Sequence, residues 1–299
     1  MLKTSEYEMS EGYYLTIYPC VAGDENVMKE AMERREFGII ELLIVKALYK
    51  YMVLNRKNLE RAVDIKLDRK LQKPNYITNI RHLREKGVLF KMRYGNEDEA
   101  NGCEFYSLTA AGYQYMRVYY AGLPVTYDVG SHNERNVKRE NLPAIMERLS
   151  INQWHINLLR NYGDKICSEA YYSKKRLGYR KAWFQSNVRI KTQAGSVALI
   201  ALPAGKTEDD KKDLFDTLIR YSDLIGKSEN KAAAFIVICE SKGEIGRITK
   251  YLEKSRTLHD VELLFAVDLN INKQPALEML YTCMVEQQRI SIDTFEVEL

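Results

Sequence analysis

The fold is decided by residues 74–109, which read PNYITNIRHLREKGVLFKMRYGNEDEANGCEFYSLT. The first part, PNYITNIRHLREKG, has apolar residues at helical spacing and ends at Gly87, so it predicts a helix with Pro74 in its first turn. Two strand-like runs follow, VLFKMRY and CEFYSLT, and the turn-rich segment GNEDEANG separates them. We therefore expect a helix followed by a β-hairpin.

Two more helices are predicted before this stretch. The segment IIELLIVKALYKYMVL has apolar residues at three- and four-residue intervals, as an amphipathic helix does. The segment RKNLERAVDIKLDRK follows Asn55, a cap-type residue, and places Leu59 and Val63, with Leu67 as a further candidate, on one face. Three helices and then a hairpin is the order of a winged helix-turn-helix domain.

Positive charge is concentrated in the same region. Between Lys46 and Arg93 the sequence has fourteen lysines and arginines but only four acids, whereas the whole chain has a net charge of +4. The residues outside this segment are therefore net acidic, and the asymmetry is regional. The phosphates of a DNA duplex would favour such a segment.

The third helix has a polar face suited to a DNA groove. On a helical wheel its apolar residues Tyr76, Ile77, Ile80 and Leu83 cluster on one side. The side chains expected to read base edges are those of Asn75, Thr78, Asn79, Arg81 and His82. The cations expected to contact phosphates are Arg56, Lys57, Lys73, Arg84, Lys86, Lys91 and Arg93. An ordinary solvated face is the alternative for this helix taken alone.

The turn of the hairpin departs from this pattern. It carries Glu97, Asp98 and Glu99, and an acidic tip would be repelled by a phosphate backbone. Either Lys91 and Arg93 at the base of the hairpin contact DNA, or the hairpin faces a protein partner.

The segments LREKGVLFKMRY and FYSLTAAGYQYM closely resemble winged-helix DNA-binding domains. In particular, they resemble the N-terminal half of the replication-relaxation family of plasmid and conjugative-element proteins. The resemblance covers about residues 38–118 and is to a pattern, not to a catalytic signature. It implies double-stranded DNA as a partner, with relaxase or replication proteins as further partners.

The remaining N-terminal residues suggest connecting and contact roles. Residues 1–37 contain the extended-looking piece YYLTIYP and are interpreted as an N-terminal arm or dimer contact, the winged helix occupying 38–121. The helix TAAGYQYMRVYYAG carries four tyrosines that would suit an interdomain or dimer contact, and stacking on unpaired bases is the alternative. Residues 122–141 are rich in Gly, Pro, Asn and charges, as a linker is.

The second half, residues 142–299, alternates helices with short apolar strands. This alternation predicts an α/β layer with a mixed sheet covered on both faces, so the fold class expected for the chain is α+β with an α/β second domain. The order helix, strand, two hairpin strands, helix, strand, helix, strand resembles the restriction-endonuclease-like core. The C-terminal half of the replication-relaxation family also resembles that core.

The predicted strands carry only part of the residue set that a nuclease of that type needs. Its central strands carry an acid and then an acid-x-lysine, which hold Mg²⁺ and orient the attacking water. Here the strand GSVALIALPAG has neither acid nor lysine, and WFQSNVRIKT offers Arg189 and Lys191 but no carboxylate. Glu169 alone cannot form the site unless Glu208 or Asp209 folds in. We therefore expect no catalytic residue and no metal, and interpret this domain as a docking or dimerisation scaffold.

Other chemistry has little support. The GKT of ALPAGKTEDD lacks the first glycine of a phosphate loop, since position 200 is isoleucine. The four histidines and five cysteines lie too far apart for common metal or redox motifs, so no cofactor is expected and the cysteines are interpreted as reduced structural thiols. No apolar run is long enough to cross a bilayer and the N-terminus does not resemble a signal peptide, so we expect a cytoplasmic protein with no membrane partner.

The sequence therefore predicts a DNA-binding accessory protein, not an enzyme, of a plasmid, conjugative element or phage that acts in replication or mobilisation. A transcriptional regulator with a C-terminal dimerisation or sensing domain is one alternative. A metal-dependent nuclease with a rearranged site is a second, and a protein-interaction module is a third. A homodimer is left open.

Overall fold

The computed structural model describes residues 13–19, 30, 36–67, 74–96, 102–120, 142–163, 166–179, 182–192, 198–204, 208–225, 233–255, 262–268, 271, 273, 275–278, 280–286 and 289–295. They fall into two compact units, an N-terminal unit within residues 9–145 and a C-terminal unit within residues 146–299. Both units mix helices with a β-sheet, so the chain has a mixed α+β fold with two sheets. The predicted linker, 122–141, lies outside the described residues.

The N-terminal unit packs four described helices against a small sheet. The helices are α1 (Ile39–Tyr51), α2 (Arg56–Asp64), α3 (Tyr76–Glu85) and α4 (Ala110–Tyr120). The strands are β1 (Tyr14–Ile17), β2 (Val53–Asn55), β3 (Leu89–Gly95) and β4 (Cys103–Leu108). The sheet has the order β1-β3-β4-β2, and every pairing is antiparallel. The hairpin predicted after the third helix is confirmed as β3 and β4.

The first helix is shorter than the sequence predicts. Its apolar pattern continues through residue 54, but α1 ends at Tyr51 and Met52 follows with a φ of 64°, in the left-handed region that stops a helix. The hydroxyl of Ser107 donates a hydrogen bond of 2.7 Å to the carbonyl oxygen of Met52. The next residues form β2, which pairs with β4.

Asparagine side chains set the start of the next two helices. Asn55 caps α2 as predicted, since its side-chain oxygen accepts a 2.8 Å hydrogen bond from the backbone of Asn58. Asn75 caps α3 in the same way through the backbone of Thr78 at 3.2 Å. Helix α3 therefore begins at Tyr76, and the expectation that Pro74 stands in its first turn is wrong. The α2 pattern, predicted to reach residue 70, ends as a helix at Asp64.

The apolar stripe of α3 is narrower than predicted. Tyr76, Ile80 and Leu83 are buried, but Ile77 is 57% exposed. At 100° per residue Ile77 stands about 90° from the centre of the buried stripe, so it lies on its flank. The buried residues join a core with α1, α2 and the hairpin, and each large apolar side chain buried there contributes about 1.5 to 3 kcal/mol. This core includes Ile44, Leu48, Leu59, Phe90, Met92 and Phe105.

The extended piece of the N-terminal arm belongs to the sheet. Strand β1 pairs with β3 from Tyr14 opposite Gly95 to Ile17 opposite Met92. The sequence suggested an extended conformation here but not its partner, which lies some 75 residues later in the chain.

The C-terminal unit begins within α5 (Leu142–Tyr162) and contains a seven-stranded sheet. Its helices are α6 (Glu208–Ile225) and α7 (Lys242–Ser255). Its strands are β5 (Ile166–Tyr179), β6 (Ala182–Thr192), β7 (Ala198–Pro203), β8 (Ala233–Cys239), β9 (Glu262–Val267), β10 (Leu280–Glu286) and β11 (Arg289–Phe295). The order runs from β11 to β5 in reverse sequence; β7, β8 and β9 are parallel and the other neighbours antiparallel. Strands β10 and β11 were not predicted from the sequence.

Helices cover both faces of this sheet. Successive residues of β8 point to opposite faces, so Ile236 and Ile238 pack with α5 residues such as Trp154. On the other face Phe235 and Val237 pack with α6 and α7. The prediction of a mixed sheet covered on both sides is confirmed, and two-sided burial explains why AAFIVIC reads as an uninterrupted apolar run.

Candidate nucleic-acid interface

The exposed face of α3 carries both polar and apolar side chains. Thr78, Arg81 and Glu85 are exposed there, opposite the buried stripe of the helix, and Ile77 is exposed on the flank of that stripe. The side chains of Arg81 and Glu85 are 68% and 66% exposed, and Arg81 Nε lies 4.0 Å from Glu85 Oε1. An ion pair this open is held weakly, so the Arg81 guanidinium can exchange Glu85 for another acceptor at little cost.

The two asparagines predicted to read bases are bonded within the first turn of α3. Asn75 accepts the capping hydrogen bond from Thr78, and Asn79 Nδ2 donates to the carbonyl oxygen of Asn75 at 2.8 Å. These bonds satisfy backbone groups that the helix N-terminus would otherwise leave open. Any base contact by either amide would therefore compete with a bond that shapes the helix.

His82, also predicted to read bases, connects two helices. Its Nδ1 contacts Oε1 of Glu41, a buried residue of α1, while 43% of the imidazole side chain stays exposed. The other carboxylate oxygen of Glu41 accepts a 2.9 Å hydrogen bond from the backbone of Gly38. His82 thus helps to fix the position of α3 against α1.

A second link joins α3 to α2. The hydroxyl of Tyr76 donates a hydrogen bond to Oδ1 of Asp64, the last residue of α2. Burial raises the pKa of Tyr76, and the bond to Asp64, that carboxylate's charge and the charge of Glu60 raise it further. Sequence reasoning identified Tyr76 only as an apolar position, because its partner lies twelve residues away.

The cations of α2 and α3 differ in how far they are engaged. Lys57 is exposed and Arg84 is half-buried, and neither makes an ion pair with another residue that the structure describes. Arg56 is exposed and paired with Glu60 at 2.8 Å. Burial raises the pKa of Tyr106 on β4, and the positive charges of Arg56 and Arg84 both oppose that rise, so the two arginines lie in the same neighbourhood.

The remaining predicted phosphate contacts differ in their surroundings. Lys86 is exposed, with its Nζ 3.9 Å from Oε2 of Glu36. Lys73 lies outside the described residues, as does the acidic hairpin tip with Glu97, Asp98 and Glu99.

The hairpin cations are engaged within the sheet. Lys91 Nζ contacts Oε1 of Glu104 on the neighbouring strand and lies 5.0 Å from the centre of the Tyr18 ring. Arg93 stands opposite Glu104 in the strand register, and its side chain crosses Gly102 so closely that a Cβ there would meet Arg93 Nε at 2.5 Å. Cations held in this way are partly neutralised.

The tyrosines of α4 pack inside the N-terminal unit. Tyr113 lies 5.3 Å from Tyr49 and Tyr115 lies 5.4 Å from Phe37, measured between ring centres. Lys46 Nζ donates a 2.9 Å hydrogen bond to the hydroxyl of Tyr119. These three rings therefore serve the contact between α4 and the region of α1 within the N-terminal unit.

The acids considered for a nuclease site belong to different elements of the C-terminal unit. Glu169 on β5 stands opposite Arg189 of β6 in the register, and Asp209 near the start of α6 is exposed. The side chains of Glu169, Arg189, Lys191 and Glu208 lie outside the described set. Among the side chains that are described, no three His, Cys, Asp or Glu residues form a group that could hold a metal ion.

Known proteins offer no guide to this surface. Comparison with protein-family models, with curated proteins and with solved structures finds no match. In the part of the chain that the structure describes, no helix combines the length and apolar character needed to cross a membrane.

Proposed function

We propose that the N-terminal unit is a winged helix that binds double-stranded DNA and inserts α3 into the major groove. The observation that carries the proposal is the pair of cations Lys57 on α2 and Arg84 on α3, which make no ion pair with other described residues. Cations without an internal partner are available to phosphates.

The topology supports the same proposal. The order α1, β2, α2, α3, β3, β4, with β2 joined to the hairpin through β4, agrees with that of a winged helix. In helix-turn-helix proteins the second helix of the motif enters the major groove, which corresponds to α3 here. The Tyr76 bond to Asp64 would hold α2 and α3 at the angle that docking requires.

We further propose the biological setting that the sequence resemblance implies. The protein acts in the cytoplasm as a DNA-binding accessory factor in replication or mobilisation of a plasmid, conjugative element or phage, together with relaxase or replication proteins. The order α5, β5, β6, β7, α6, β8 supports a restriction-endonuclease-like core for the second domain. That domain would serve as a docking or dimerisation scaffold without nuclease activity.

The geometry refines the assigned roles. Arg81 and Thr78 are the residues of α3 best placed to read base edges, whereas Asn75, Asn79 and His82 have structural bonds. Lys57 and Arg84 are the best candidates for phosphate contacts, followed by Arg56 and Lys86, which are paired with Glu60 and Glu36.

Fluorescence anisotropy on the full chain tests the proposal. Binding to random duplex and to single strand would be measured across about 50 to 200 mM salt, the range in which phosphate contacts are revealed. We expect duplex binding that weakens steeply with salt. Absence of binding to either nucleic acid, even at the lowest salt, would overturn the proposal and favour a protein-interaction role for the winged helix.

Base reading and phosphate contact are separated by two variants of α3. Arg81→Ala should cost about 1 to 3 kcal/mol on a selected site and nothing on random duplex, because a base contact carries sequence information. Lys86→Ala should weaken both by the same factor. Equal losses on the two duplexes for Arg81→Ala would contradict the base-reading role.

A further inference from the structure

Ile77 is a large aliphatic side chain on the face of α3 proposed to meet DNA. Five large hydrophobic residues among those described are exposed, and Ile77, at 57%, is the one that lies on α3. A single exposed isoleucine is ordinary on a protein surface. Its position in line with Arg81 is what suggests a role in DNA recognition.

Ile77, Arg81 and Glu85 follow one another at intervals of four residues. Four residues advance a helix by about 6 Å, so the three side chains line one face over about 12 Å. Base pairs in a duplex follow at about 3.4 Å, so this row spans three to four of them. Ile77 lies in the first turn of α3, the end from which recognition helices contact base edges.

Each side chain in the row has a complementary group in the major groove. Arginine pairs with guanine, a carboxylate accepts from the amino group of cytosine, and an aliphatic group packs against the 5-methyl group of thymine. Thr78, which is exposed beside this row, can donate or accept a hydrogen bond. A groove edge that presented only polar groups would leave Ile77 facing atoms with which it makes no favourable contact.

We propose that Ile77 packs against the methyl group of a thymine about two base pairs from the base that Arg81 contacts, and so sets a preference for thymine there. This inference rests on the proposed DNA-binding function and adds a specificity-determining residue to it. The preference is for the methyl group itself, not for the hydrogen-bonding edge of the base.

Replacement of thymine by deoxyuridine tests the inference, because it removes that methyl group and leaves the hydrogen-bonding groups unchanged. A duplex would be selected from a random library with the wild-type chain, and each thymine would be replaced in turn. We expect one position at which the wild-type chain binds about fourfold more weakly, since one buried methyl contributes about 0.8 kcal/mol and 1.36 kcal/mol is tenfold.

Two variants connect that position to Ile77. Ile77→Ala should bind the thymine and deoxyuridine duplexes equally, and it should fold, because an exposed alanine suits a helix. Ile77→Val keeps a branched aliphatic group and should retain most of the difference. Circular dichroism of each variant would check the helix content.

The outcomes separate the inference from the function on which it rests. Salt-dependent duplex binding without any sensitive thymine would overturn the inference alone. A sensitive thymine that stays equally sensitive in Ile77→Ala would do the same, since another group would be reading the methyl. Absence of duplex binding would overturn both.

Discussion

The cations of helices α2 and α3 and those of the β3–β4 hairpin look alike in the sequence but stand in different surroundings. Lys57 and Arg84 make no ion pair with other described residues, whereas Lys91 contacts Glu104 and lies over Tyr18. A local count of +10 therefore overstates the charge available to DNA. The side of the domain that carries α2 and α3 offers more binding charge than the hairpin does.

Lys50 on α1 is a third kind of cation, one whose charge is disfavoured by burial. Its replacement gives the largest expected effect, on the free energy of unfolding. Burial lowers the pKa of Lys50 from 10.5 to about 8, with the positive charge of Lys66 as a second cause. Between those values the unfolded chain binds a proton that the folded chain lacks, so this group makes unfolding harder as pH rises through the interval. Below about pH 8 Lys50 is charged in the folded chain as well, and its burial then destabilises the fold by the full amount.

Lys50→Met should therefore raise the free energy of unfolding by about 2 to 3 kcal/mol at pH 7. The gain should shrink as pH rises above about 8 and disappear near 10.5. Urea unfolding of variant and wild type at matched pH values measures this gain in the free energy of unfolding. The control Lys57→Met, which removes an exposed cation, should show no dependence of the gain on pH. A gain independent of pH would mean that packing, not charge burial, causes it.

The double variant Lys57→Ala, Arg84→Ala tests the helix side of the comparison directly. Loss of two phosphate contacts should reduce the slope of log K against log salt by about 1.8 and weaken duplex binding about thirtyfold at 0.15 M salt. The loss should be the same on selected and random duplexes. An unchanged slope would show that these two cations do not contact phosphates.

Local patterns in the sequence were enough for much of the N-terminal unit. Helical spacing, the cap at Asn55 and the turn-rich segment predicted α1 to α3 and the hairpin, because each depends on residues within a few positions of one another. The partner of β1 was missed because it lies far along the chain. Strand β2 was missed altogether, because its partner is also distant and its three residues continue the apolar run of α1. The pairing of strands across the sheet cannot be predicted from any short stretch of the sequence.

The same limit applies to the candidate site. Exposure of Arg81 and Thr78 followed from the helical wheel. The contact of His82 with Glu41 spans 41 residues, and that of Lys91 with Glu104 crosses the hairpin. Nothing next to His82 or Lys91 in the sequence indicates that these side chains are occupied. Composition gives the charge of a region, and only the fold shows which charges are paired.

Glu104→Gln should free Lys91 from its ion pair, so that it becomes available to phosphates as Lys57 and Arg84 are. Glutamine keeps the size of the side chain and removes the charge that neutralises Lys91. If the base of the hairpin lies near phosphates, one added contact should tighten duplex binding up to about fivefold at 0.15 M salt and steepen the salt slope by about 0.9. Asp213→Asn on α6 removes the same charge from the other unit and controls for net charge. A flat response in Glu104→Gln would place the hairpin away from the DNA.

Lys91→Met gives the smallest expected effect and the most direct test of the contrast. Because Lys91 is already paired with Glu104, loss of the Lys91 charge should change duplex binding by less than about twofold. The free energy of unfolding should change by about 1 kcal/mol or less. Arg84→Met is the matched variant on the helix side and should weaken binding about fivefold. If Lys91→Met weakened binding as much as Arg84→Met, with the same flattening of the salt slope, the bond to Glu104 would have to open when DNA binds. The two sides of the domain would then contribute equally, and the ion pairs of the free protein would not decide which cations contact phosphates.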